Sequence, residues 1–284
     1  MLAGFLLALR EGIEAALVVG IVLGVLKKTN HMDRAPKVWL GAGLAAAISL
    51  VAAILLNLIG AEFEGSGEQA FEGITMLLAA SVLTWMIFWM QKQGRQIQLG
   101  LEADVKGALS RGRDWALFSI AFFAVAREGV ELALFLTAVN FSAPAAGIEA
   151  PILGWLGGLL GLIAAAIVGW LMFDTTAKLN LRRFFQLTSI VLIVFAAGLI
   201  GHAIGEFNEL GWLPSIVNPL YDFSHVLPES AVVGQFLRAL FGYAASPSLT
   251  ETIGYVAYFV VVFGLIRWVS RRPVARATTS ARVS

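Results

Sequence analysis

Seven stretches of this chain, sixteen to twenty-five residues each, pass with few or no charges: Leu2–Leu26, Val38–Gly60, Phe71–Met90, Trp115–Val139, Ile152–Phe173, Phe184–Ile204 and Ile253–Trp268. A helix needs about 20 apolar residues to cross the hydrocarbon core. Inside lipid the backbone must satisfy its own polar groups, so runs of this kind fold as helices. Composition agrees: 58% of the 284 residues are hydrophobic and 14% are charged, against roughly 25% charged in a soluble domain. The expected fold class is an all-α integral membrane protein of seven transmembrane helices. Cysteine is absent, which excludes disulfides, thiolate metal sites and cysteine nucleophiles. The first stretch has no basic leader and carries Arg10 and Glu11 within it, so it reads as a retained span rather than a signal peptide.

The few charges set the orientation. Of 20 basic residues, 17 fall after the first, third, fifth and seventh spans, among them Lys27, Arg34, Lys106, Arg113, Lys178, Arg182 and Arg271. Basic residues stay on the cytoplasmic side, which puts the N-terminus outside and the C-terminus in the cytoplasm. The opposite loops are acidic, with Glu62, Glu64, Glu68, Glu149, Glu206, Glu209, Asp222, Glu229 and Glu251, and Arg238 as their one base.

Two segments repeat. Arg10-Glu11-Gly12-Ile13-Glu14 returns as Arg127-Glu128-Gly129-Val130-Glu131, and Trp39-Leu40-Gly41 returns as Trp155-Leu156-Gly157. Phe71 and Thr75 align with Phe184 and Thr188. Three spans per copy reverse the direction of the second copy, giving an inverted 3+3 repeat with one helix added, an architecture characteristic of transporters. The expected organisation is one permease domain over 1–273, with repeats at 1–91 and 114–210. An outer segment and the seventh span cover 211–269, and a disordered cytoplasmic tail covers 274–284.

Charged residues inside a span are costly and by default functional. Glu11 and Glu14 share a helix face, as do Glu128 and Glu131. If the copies cross at Gly12 and Gly129, four carboxylates converge, an oxygen donor set suited to hard cations. Arg10–Glu14 and Arg127–Glu131 have the spacing of ion pairs, leaving Glu11 and Glu128 unpaired by their own helices. Glu68, Glu72, Glu206 and Glu209 are candidates for an outer vestibule, with the last pair placed just beyond the sixth span. His202 reads as a packing residue, since no second histidine stands at ligand spacing. Asp114 and Ser248-Leu249-Thr250-Glu251 read as helix caps. Val232, Val233, Phe236, Leu237, Leu240 and Phe241 recur at helical spacing and predict an amphipathic helix on the outer interface.

The paired motifs, the stretch Gly205-Glu206-Phe207-Asn208-Glu209-Leu210-Gly211-Trp212-Leu213-Pro214 and the later Ala239-Leu240-Phe241-Gly242-Tyr243 resemble the oxidase-dependent high-affinity iron permeases, in their bacterial EfeU-type branch. The resemblance covers the chain up to Pro273. It implies inward transport of Fe³⁺ across the inner membrane, with iron as substrate and no prosthetic group. It also implies a separate periplasmic iron-oxidising or iron-binding partner, and no nucleic acid. It assigns metal handling to Glu11, Glu14, Glu128 and Glu131, an essential role to Arg10 and Arg127, and outer-side handling to Glu206 and Glu209. Some relatives are iron/lead transporters, so Fe²⁺, Mn²⁺ and Pb²⁺ stand as alternative cargoes. A membrane di-iron oxidase is a further alternative, although its usual Glu-x-x-His pairs are missing.

Overall fold

The computed structural model describes residues 1–93, 96–142, 149–174, 181–229 and 231–270. Nine α-helices fill them: α1 (Leu2–Lys28), α2 (Ala35–Glu62), α3 (Ser66–Gln93), α4 (Gln96–Ser110), α5 (Asp114–Phe141), α6 (Glu149–Asp174), α7 (Leu181–Glu209), α8 (Val232–Phe241) and α9 (Leu249–Ser270). No strand occurs among the described residues. The expected tail lies outside them.

Among the described residues, five segments are long and apolar enough to cross a membrane: Met32–Gly60, Ser66–Trp89, Ile152–Leu171, Phe184–Glu209 and Leu249–Trp268. Seven were expected. The other two, α1 and α5, have 27 and 28 residues but carry the motif charges in mid-helix, which removes any long charge-free window. Each of the seven long helices overshoots its predicted span. Glu206 and Glu209 therefore sit on the last turns of α7 rather than beyond it. Helix α9 starts at Leu249 because the Ser248 N–H donates to Glu251 Oε1 (3.0 Å) and the Glu251 N–H donates to Ser248 Oγ (3.2 Å), a reciprocal cap. At α5 the capping position is Arg113, and Asp114 is the first helical residue.

Contacts fix the helix directions. Gly157 lies against Met1, Gly161 against Phe5 and Gly169 against Ala16, so α1 and α6 run parallel. Gly41 lies against Phe118 and Gly129 against Ser49, so α2 and α5 also run parallel. Helices α3 and α7 run antiparallel, with Gly73 under Phe207 and Gln69 Nε2 donating to Glu209 Oε2 at 2.6 Å. The hydroxyls of Thr84 on α3 and Tyr258 on α9 bond at 2.8 Å. Leu7, Met76, Leu83, Phe135 and Leu199, from four of these helices, form the main core. Trp39, Leu50, Leu159, Trp170, Val260 and Phe263 stand exposed on α2, α6 and α9, an outward apolar surface far larger than a water-soluble monomer presents.

Two elements differ from expectation. The basic connection after α3 contains α4, whose Val105 and Ala108 pack with Leu26, Val38 and Leu117. Helix α8 forms where the spacing predicts, but it does not lie flat on the outer surface. Gly242 closes it in the left-handed conformation (φ 65°) and meets Gly198 backbone to backbone. Gly198 is eleven residues from the end of α7, about 16 Å along its axis. The segment thus dips into the bundle and returns to Leu249, a re-entrant arm. Arg238 ties it to the end of α5 by donating to the Ser142 carbonyl (2.7 Å), and it pairs with Glu229.

Candidate metal site

The motif residues sit mid-helix because the glycines between them admit another helix. A methyl group on Gly12 would strike Ala165 of α6, and one on Gly129 would strike Ser49 of α2. Expectation had the two motif helices crossing at these glycines. Instead each glycine receives the second helix of the opposite copy, and α1 meets α5 through the carboxylate side. Ser49 and Ala165 each lie ten residues beyond their repeated tryptophan, Trp39 and Trp155, so the two contacts correspond.

One carboxylate oxygen from each of Glu11, Glu128 and Glu131 lies within 4.8 Å of the other two. Opposite ligands of an ion bound at about 2.0–2.6 Å are about 4–5 Å apart, so this spacing matches a single cation. The fourth expected member, Glu14, is not in the trio; Arg10 Nη2 holds its Oε1 at 3.3 Å. Arg10 Nη1 also stands 3.6 Å from Glu11 Oε1, so Glu11 does have a charged neighbour on its own helix. Arg127 Nε donates to Glu131 Oε1 at 2.9 Å and lies 4.0 Å from Glu128 Oε1. Both predicted ion pairs form.

Arg10 is 0% and Glu11 1% exposed, and Glu14 and Glu128 are buried. Among the described residues no hydrogen-bond donor reaches either oxygen of Glu11, Oε2 of Glu128 or Oε2 of Glu131. Buried polar oxygens ordinarily have partners, and buried carboxylates are costly without them. A cation supplies the missing partner for all three at once. With every carboxylate ionised, four against two guanidiniums leave two negative charges.

Two residues beside the site escaped sequence reasoning. Ser49 has a buried hydroxyl without a hydrogen-bond partner against Gly129. Trp89 of α3 places its ring under Arg127, 4.5 Å from the guanidinium carbon. The alignment of Trp39 with Trp155 would have pointed to position 49; nothing local marks position 89.

The predicted vestibule residues also gather. Glu72 is within electrostatic reach of Glu206, Glu68 and Glu209, and Glu206 of Glu251. They occupy the first turns of α3 and the last turns of α7. Glu62, the last residue of α2, and Glu64, in the turn before α3, stay exposed. Beside them a cavity of about 300 Å³ opens between α7, α9 and the re-entrant arm, lined by His202, Tyr221, Phe241, Tyr243, Glu251 and Tyr255 among others. His202 is buried and bonds the Arg238 backbone, but its Nε2 has no partner among the described residues, so it is less satisfied than a pure packing residue.

A family model described as "Iron permease FTR1 family" matches residues 1–271. The chain belongs to the FTR1 iron permease family. The "Ferrous iron permease EfeU" of Yersinia pestis is 37% identical over 284 residues, covering 99% of both chains. That of Escherichia coli O157:H7 is 39% identical over 262 residues, covering 92% of this chain and 93% of its own. No solved structure matches. An FTR1-family chain with several membrane-length apolar helices is a multi-pass membrane permease for iron, a transporter and not an enzyme.

Proposed function

We propose that the carboxylate trio Glu11, Glu128 and Glu131 carries iron inward across the cytoplasmic membrane. The observation behind this reading is the set of buried, unpartnered carboxylate oxygens within 4.8 Å of one another. Glu68, Glu72, Glu206 and Glu209 attract the ion from outside. The trio then replaces part of its water shell, and rocking of two inverted halves, 1–91 and 114–210, opens the site inward. All seven long helices cross the membrane in this reading, with the N-terminus outside and 1–273 as one domain. Alternating helix directions, the matched contacts at Gly12 and Gly129, and the one-sided basic residues support it.

The cargo is Fe²⁺ in this reading. A divalent ion neutralises the two negative charges of the buried site, whereas Fe³⁺ leaves one positive charge in a medium that penalises it. The relatives carry the name of ferrous iron permeases. A ferric cargo delivered by a partner oxidase is the second reading, favoured by the all-oxygen donor set. Uptake of radioactive iron into vesicles holding the purified chain separates them. Ascorbate-reduced iron is expected to enter faster than ferric citrate, and the reverse order establishes the ferric reading. Glu128→Gln should raise the KM at least about tenfold, and unchanged uptake by this variant would overturn the site.

A further inference from the structure

The two copies of the motif hold their arginines differently. Arg10 is enclosed, against Glu14 at 3.3 Å and Glu11 at 3.6 Å. The Arg127 side chain is 38% exposed and lies between Glu131, at 2.9 Å, and the Trp89 ring, at 4.5 Å. Their partners also differ. Glu14 is outside the carboxylate trio, but Glu131 is inside it. A cation can therefore load without a ligand from Glu14, but it shares Glu131 with Arg127: the guanidinium holds Oε1 and the oxygen left for the ion is Oε2, so a bound ion draws charge from the carboxylate that anchors Arg127.

A guanidinium inside a membrane whose carboxylate is shared with a cation needs a second partner. Another carboxylate would compete with the cargo for charge. The face of an indole does not, because it attracts a cation through the ring quadrupole and carries no net charge. The alignment of Phe71 and Thr75 with Phe184 and Thr188 sets Trp89 of α3 opposite His202 of α7, and His202 bonds the Arg238 backbone. The other copy therefore has no indole at this place.

We propose that Trp89 is a positioning residue for transport. It steadies Arg127 while the cation shares Glu131, and keeps the guanidinium in place to draw the whole carboxylate back and expel the ion. One motif is thus a fixed arm and the other a switching arm. The inference rests on the transport reading above.

Iron uptake by vesicles and equilibrium iron binding by the purified full-length chain test it together. Trp89→Leu should raise the KM roughly 3- to 30-fold, the range expected for a lost cation–π contact, and Trp89→Phe should raise it less. Arg127→Gln should bind iron more tightly at equilibrium and move it more slowly. In that background Trp89→Leu should shift the KM less than about twofold, since Arg127 is the residue it positions. An unchanged KM in Trp89→Leu overturns the proposal. So does an equal shift with and without Arg127, which marks Trp89 as packing alone. If Trp89→Leu does not fold, Trp89→Phe with and without Arg127→Gln gives the same comparison. Failure of the underlying reading has a different signature: iron binding by the wild type that Glu131→Gln leaves intact.

Discussion

Glu14 and Glu131 occupy the same place in their motifs and have different surroundings. Arg10 holds Glu14 away from the trio, while Glu131 contributes an oxygen to it. Equilibrium iron binding should therefore weaken far more in Glu131→Gln than in Glu14→Gln, which is expected to change affinity by less than about threefold. Equal losses would show that all four glutamates ligate. Glu14→Gln should instead lower thermal stability, because it removes the carboxylate nearer to Arg10 (3.3 Å) and leaves Glu11 at 3.6 Å; breaking a buried ion pair costs up to about 3–5 kcal/mol. The spacing of four residues revealed both ion pairs in the sequence. The difference between them was not legible there, because it depends on which residue of another helix approaches: Ser49, Ala165 or Trp89.

Among the elements, the glycine contacts decide how closely helices pack. A methyl group at Gly12 meets the Ala165 methyl too closely for both to stay. Gly12→Ala should destabilise the chain by about 1–3 kcal/mol, the cost of overpacking, and Ala165→Gly in the same chain should restore most of it in a detergent melt. No recovery would mean that α1 and α6 separate for another reason. Helix existence and type were readable from apolar runs of membrane length, and the start of α9 from the Ser248–Glu251 box. The insertion of α8 was not. Its periodicity reports an apolar face, but whether that face meets lipid or α7 turns on Gly198 and Gly242 fitting backbone to backbone.

At the scale of the molecule, charge placement carries the orientation. A reporter fused after residue 284 should be active only on the cytoplasmic side, and one at the N-terminus only outside. Reporters on the same side would remove the odd number of spans and, with it, the inversion of the repeat. The expected topology rests on the distribution of Lys and Arg, which act on loops before tertiary structure exists. Helices α1 and α5 fail a purely apolar criterion because Arg10, Glu11, Glu14, Arg127, Glu128 and Glu131 lie within them.

The pairing of α1 with α6 and of α2 with α5 has a consequence for synthesis. The ribosome finishes α1 at Lys28 and α6 only at Asp174, a delay of roughly 7–30 seconds at about 5–20 residues per second. Throughout that interval the motif helix α1, with Arg10, Glu11 and Glu14, lacks its partner α6. The first half must wait in or beside the insertion machinery. A chain that ends before α6 is therefore an unfinished unit, with Gly12 of α1 lacking the helix that packs on it.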